Sequence, residues 1–137
     1  MPSSVSVPVS IGELYDKISI LEIKAERIHD KRKLENIESE LLLLSDVARS
    51  LPQLDSFLFE LNGQLKSVNE ALWDCEEAIR DYERRQEYGQ EFVGIARAIH
   101  RNNDRRAEIK RQINLLSGSS LVEEKSYQLP ELGGADR

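Results

Sequence analysis

Residues 92–114 read FVGIARAIHRNNDRRAEIKRQIN, and the spacing of their apolar side chains predicts a long amphipathic helix. Apolar residues recur at steps of three and four along this stretch and just beyond it: Phe92, Ile95, Ile99, Ile109, Ile113 and Leu116. Two positions of the series are polar, Asn102 and Arg106. Because polar groups on a buried seam need partners, these two residues predict that a neighbouring element supplies them.

Three further stretches have the same spacing and predict three more helices, over residues 11–28, 34–51 and 54–82. Ser10 is a favourable N-cap for the first helix, and Asp30 is a favourable cap where the first seam changes phase and the second helix begins. Pro52 is expected to end the second helix, Gly89 to separate the third from the fourth, and Gly118 to close the fourth.

The composition, with 32% charged, 39% hydrophobic and 6% aromatic residues, is typical of long amphipathic helices. We therefore predict an all-α fold, either an antiparallel helical bundle or a long coiled-coil hairpin with two shorter N-terminal helices. Residues 11–127 form the single domain in this prediction, with an extended arm at 1–10 and a flexible tail at 128–137. Opposite net charges, −5 over residues 54–88 and +3 over residues 89–117, favour the third and fourth helices as neighbours.

The spacing also predicts the surroundings of individual side chains. Cys75 lies on the seam of the third helix, where we expect a buried, inert thiol. His100 and Asp104 are expected to be solvated. The polar face of the first helix mixes both signs of charge and is also expected to face solvent: Glu13, Asp16, Lys17, Glu22, Lys24, Glu26 and Arg27.

Several classes of function have no support in the sequence. The net charge of −6 and the pI near 5.0 disfavour nucleic acid as a partner. The single cysteine and two isolated histidines, His29 and His100, do not form a metal-binding spacing, and no phosphate-binding loop is present. We therefore predict no metal, no cofactor and no catalytic residue. The lack of a long apolar run or signal-peptide pattern predicts a cytoplasmic protein without membrane insertion.

The one constellation that stands out lies in the middle of the fourth helix, at Asn102, Asn103, Asp104, Arg105 and Arg106. Asparagine and aspartate are unfavourable inside a helix, so their presence there needs a reason. A buried asparagine on a seam can fix helix register and oligomeric state. Arg106 could pair with an acidic side chain of another helix or hold an anionic small molecule. We prefer the register-setting interpretation and keep the ligand as the alternative.

Short segments over most of the chain resemble a family of bacterial proteins. They are Ile11–Leu14, Asp16–Ile18, Ile20–Lys24, Glu26–Ile28, Leu72–Trp73, Ala96–Ala98, Asn103–Asp104, Lys110, Ile113–Asn114 and Glu123–Tyr127. In this order they resemble DUF6165, over about residues 7–127. The resemblance implies a small bacterial helical protein without an established activity, and it implies no catalytic residue.

The resemblance sharpens the ligand hypothesis, because a tail that folds back over the bundle could gather charged side chains. The residues that would then converge are Glu22, Glu26, Arg97, Asp104, Arg106, Lys125 and Tyr127. Our preferred function is nevertheless a non-enzymatic interaction or scaffold protein. We expect a homodimer, because the third helix spans roughly 50 Å and the shorter helices cannot cover it alone. A further protein partner is possible in this scheme. The alternative is a small enzyme or binding protein with an anionic metabolite near Arg106.

Overall fold

The structure, a computed structural model, describes residues 4–51 and 56–126. These residues form four helices and no strand: α1 (Ile11–Arg27), α2 (Lys31–Arg49), α3 (Ser56–Arg84) and α4 (Gln90–Ser117). The predicted all-α fold is confirmed. The described part of the predicted arm, residues 4–10, contains neither helix nor strand, and Val5 and Val7 are 89% and 67% exposed.

The helix ends follow from local hydrogen bonding. Ser10 and Asp30 cap α1 and α2, since each side-chain oxygen accepts a hydrogen bond from the backbone N–H three residues later, at 3.1 and 2.9 Å. The predicted break between the first two helices is therefore confirmed. Gly118 ends α4 in the left-handed conformation, with φ of 72°, which only glycine adopts without strain. Pro52 and the predicted tail at 128–137 lie outside the described residues.

α4 returns along α3, and these two helices share the most extensive contact in the molecule. α1 packs against both of them and also against α2, so within the described residues it is the helix that contacts all three others. The apolar core lies mainly between α3 and α4, where it is joined by Ile11 and Tyr15 of α1. The fully buried members of that core are Leu58, Leu61, Leu65, Val68, Leu72, Ile109 and Ile113. Among the described helices, none has the length and apolar character needed to cross a bilayer.

Burial corrects four of the predictions. Asp16 is fully buried, and the prediction of a solvated face is wrong there because α1 has neighbours on three sides. Asp104 is also buried, at 8% exposure. Leu116 is 51% exposed, and Asn114 takes the buried position instead, because α1 approaches α4 on that side. Cys75 is only half-buried.

Candidate functional site

The centre of the site is an ion pair between α1 and α4. The Asp16 side chain is 1% exposed and the Arg106 side chain 29% exposed. Arg106 Nε donates to Asp16 Oδ1 at 2.9 Å and Arg106 Nη2 donates to Asp16 Oδ2 at 2.5 Å. This two-pronged geometry is the strongest arrangement that an arginine and a carboxylate can form. The polar position of Arg106 in the α4 seam therefore has its partner on α1.

α3 joins the same network through Asn69. The Asn69 amide donates to Asp16 Oδ1 at 2.9 Å and to Ser19 Oγ at 2.7 Å, and Ser19 Oγ donates to the Asp16 carbonyl at 2.8 Å. Asn69 and Ser19 are both 5% exposed. We call Asp16, Ser19, Asn69 and Arg106 the buried network. Because each side chain in it bonds to another member, the network holds α1, α3 and α4 in one relative position.

A close approach between α1 and α4 lies next to the network. The backbone N–H of Gly12 donates to Asn114 Oδ1 at 2.6 Å, and both residues are buried. A Cβ on Gly12 would lie 2.6 Å from the Lys110 carbonyl oxygen and 2.9 Å from Asn114 Oδ1. Position 12 therefore has no room for any side chain, and glycine lets the two backbones come together.

The electrostatics of the network favour the ionised pair. Burial alone raises the pKa of Asp16. Hydrogen bonds from Arg106 and Asn69, together with the positive charges of Arg106 and Lys110, lower the pKa by more than burial raises it, so the pKa lies below the ordinary 3.8. The hydrogen bond to Asp16 raises the pKa of Arg106. The proton is thus on the guanidinium throughout the physiological range.

This lowered pKa makes stability depend on pH. A carboxylate whose pKa is lower in the folded state contributes stability above its unfolded-state pKa and loses it as pH falls through the folded-state value. We expect the free energy of unfolding contributed by Asp16 to fall as pH drops below about 4. Urea unfolding of wild type and Asp16→Asn measured between about pH 7 and pH 3 tests this. A stability difference between the two proteins that stays constant over this range contradicts the prediction.

A polar cleft of about 470 Å³ opens beside the network, between α1, α4 and the segment that follows α4. We call it the polar cleft, and its charged lining residues are Glu13, Asp104, Arg106, Lys110, Glu123 and Lys125. Lys110 Nζ lies 2.6 Å from Glu13 and 3.4 Å from Glu123, and Lys125 Nζ lies 2.7 Å from Glu123. The ion pair with Lys125, followed by the charge of Lys110, lowers the pKa of Glu123. The cations of the polar cleft are therefore already paired with carboxylates.

Asp104 differs from the other charged residues of the polar cleft. Its side chain is 10% exposed, and its one ion-pair contact in residues 4–51 and 56–126 is His100 Nε2 at 3.7 Å. That separation is longer than a hydrogen bond. Across the same residues, no three histidine, cysteine, aspartate or glutamate side chains come together as metal ligands. The polar cleft thus contains one buried carboxylate, that of Asp104, without a hydrogen bond to any described residue.

The model of a family of unknown function, DUF6165, matches residues 5–134. The chain belongs to this family. The suspected resemblance to DUF6165 is thereby confirmed. Neither a curated protein nor a solved structure matches the chain. The site of this DUF6165 protein is therefore interpreted from its own geometry.

The structure brings together only some of the residues that the sequence singled out. Asn103, Asp104, Arg106 and Lys125 line the polar cleft. Glu22 lines a separate, mainly apolar groove between α1 and α3, and Glu26 forms an ion pair with Lys66 at 2.7 Å.

Two further residues that the sequence singled out, Arg97 and Asn102, lie on α4 outside the polar cleft. Arg97 is exposed on α4 away from the polar cleft. The Asn102 amide donates to the carbonyl of Ala98 at 2.9 Å, so its partner is its own helix. Tyr127 lies outside the described residues.

Sequence reasoning about this DUF6165 protein missed most of the site. The residues it overlooked are Gly12, Glu13, Asp16, Ser19, Asn69, Lys110, Asn114 and Glu123. A signal for part of the set was present, because Gly12, Asp16, Ser19 and Ile23 recur at steps of four, three and four. Such a stripe, with small or polar residues at its first three positions and an apolar one at its fourth, marks a second buried face on α1. Asn69 gave no comparable signal.

Proposed function

We propose that this DUF6165 protein is a non-enzymatic helical interaction protein that associates with a second copy of itself through α2. The observation that carries the proposal is a set of exposed apolar side chains on α2: Leu43 and Val47, one turn apart, are 57% and 48% exposed, and Leu42, on the adjoining side of the helix, is 62% exposed. We call these three residues the α2 face. Clustered exposed apolar side chains are typical of protein–protein contact sites.

The position of α2 in the bundle supports this role. α2 packs against α1, and Ile37 is its one buried residue, at 9% exposure. α2 has no contact with α3 or α4 within the described residues. The α2 face therefore lies on a helix that the domain leaves open. A second copy presents the same apolar surface, and the two faces can cover one another around a twofold axis.

The state of Arg106 supports an assembly function more than an anion-binding one. Its guanidinium is engaged by Asp16 through two hydrogen bonds, and Lys110 beside it is paired with Glu13. An anionic metabolite would have to displace a buried carboxylate to reach Arg106. A role in fixing how α1 meets α4 requires no such displacement.

We expect Leu43→Glu combined with Val47→Glu to shift the protein from dimer to monomer at micromolar concentration. Charges at an apolar contact weaken association by more than about tenfold, or about 1.4 kcal/mol. Sedimentation velocity or light scattering with size-exclusion chromatography measures the mass. Because both residues are exposed, circular dichroism should show an unchanged helical content.

Val93→Glu combined with Leu115→Glu is the matched control, because both residues are exposed on α4, at 51% and 62%, and the pair introduces the same charge outside the α2 face. This control is expected to remain dimeric. A wild-type protein that is monomeric at micromolar concentration contradicts the proposal. Equal effects of the α2 variant and of the α4 double variant would show that net charge, and not the α2 face, controls association.

A further inference from the structure

Asp104 is a buried charge without the hydrogen bonds that normally accompany one. The residue is 8% exposed and lies in the middle of α4, and its carboxylate makes no hydrogen bond with any described residue. A carboxylate that is covered this far by protein and receives no hydrogen bond from it loses part of its hydration without replacement, and proteins rarely keep one without a role. Asp16, the other buried aspartate, accepts hydrogen bonds from Arg106 and Asn69.

The remaining exposed part of Asp104 faces the polar cleft. Arg106, Lys110 and Lys125 of this cleft each lie within 4 Å of a carboxylate other than Asp104. The charge of the cleft that no arginine or lysine compensates is therefore the negative charge of Asp104. Two further polar side chains flank this point. His100 lies one turn before Asp104, and Asn103 lines the cleft without a hydrogen bond to the described residues. The His100 imidazole carries ring nitrogens and the Asn103 side chain carries an amide oxygen, and both kinds of atom form hydrogen bonds.

We propose that the polar cleft binds a small organic cation with a primary ammonium group, and that Asp104 is the residue that holds the ammonium. An ammonium group has three N–H donors, which match the carboxylate oxygens of Asp104 and the amide oxygen of Asn103. A divalent metal ion fits less well, because such ions take several oxygen ligands and the described residues of the cleft offer no cluster of three. An anion fits less well again, because the cations that would hold it are already paired.

A ligand-binding Asp104 should affect the thermal unfolding midpoint differently from a structural residue. Asp104→Asn keeps the size of the side chain and removes the uncompensated charge. Its thermal unfolding midpoint in the absence of any amine is therefore expected to equal or exceed that of wild type. A functional group that is retained at the expense of stability shows this behaviour. A clear drop in the midpoint would show that Asp104 stabilises the fold and would overturn its assignment as an open ligand site.

The direct test is a titration of the full-length, ¹⁵N-labelled protein with primary monoamines from methylammonium to butylammonium, at constant ionic strength. We expect saturable shifts of backbone amide signals near His100, Asp104 and Ala107. Tetramethylammonium has the same charge but no N–H donor, and it should cause no saturable shift. Asp104→Asn should weaken the apparent affinity at least about tenfold, the effect of losing one charged hydrogen bond.

Glu108→Gln is the matched control, since it removes the same charge from the same helix outside the polar cleft. It should leave the titration unchanged. Asn103→Ala provides a second test that does not depend on Asp104→Asn folding, because Asn103 is exposed, and it should also weaken the shifts. The proposal is overturned if no monoamine gives saturable shifts. It is equally overturned if tetramethylammonium acts like methylammonium, or if neither cleft variant changes the response.

Discussion

Replacing Asp16 with alanine is expected to lower the free energy of unfolding by about 3–5 kcal/mol. The substitution removes the partner of the Arg106 guanidinium, takes one hydrogen-bond acceptor from Asn69, and leaves Lys110 with less compensation. A buried charge without its counter-ion is strongly unfavourable. Since the Arg106 side chain is still 29% exposed, water will relieve part of the cost, and we expect a value in the lower half of that range.

Urea unfolding followed by circular dichroism measures this effect. Asp46→Ala is the matched control, because Asp46 forms an ion pair with Arg49 while 59% exposed, and exposed pairs contribute only about 0–1 kcal/mol. The double variant Asp16→Leu with Arg106→Met removes both charges together and should recover much of the lost stability. If Asp16→Ala is no worse than Asp46→Ala, the buried network does not join α1 to the rest of the bundle.

Replacing Gly12 with alanine is expected to destabilise the protein by about 1–3 kcal/mol, although alanine normally favours helices. The added methyl group would lie 2.6 Å from the Lys110 carbonyl oxygen, which is backbone and cannot rotate away. α1 must therefore move off α4, and this movement strains the hydrogen bond from the Gly12 N–H to Asn114.

Gly63 offers a control of opposite sign. It also lies within a helix, and a Cβ there would meet no atom within 4 Å. Gly63→Ala should therefore stabilise α3 by about 0.5–1 kcal/mol, because the unfolded chain loses conformational freedom. Thermal unfolding of the two variants in parallel tests the prediction. Two variants with the same sign of effect would contradict the close approach at Gly12.

The helices were predictable because their signals are local. The step of three and four residues, the caps at Ser10 and Asp30, and the left-handed glycine at Gly118 each act within a few residues of the chain. Arg106 was recognisable for the same reason, as a polar residue in an apolar series. Such patterns indicate that a side chain needs a partner.

The identity of the partner was not predictable, because it depends on which helices meet. Asp16 reads as one more charge on an amphipathic helix, and only the packing of α1 among three neighbours makes it buried. Asn102 shows the converse. It occupies a seam position, but its amide is satisfied by the Ala98 carbonyl of its own helix, so it did not need a partner on another. Sequence spacing alone does not distinguish these two solutions.

The separation of Asp16 and Arg106 along the chain affects the order in which their contacts form while the chain is being synthesised. The two residues are 90 positions apart. At about 5–20 residues per second, a ribosome adds Arg106 roughly 5–20 s after Asp16. During that interval α1 can pair with α2, but Asp16 does not yet have its arginine partner and must stay hydrated. The ion pair therefore forms as a late event, when α4 arrives and closes the bundle around the first helix of the chain.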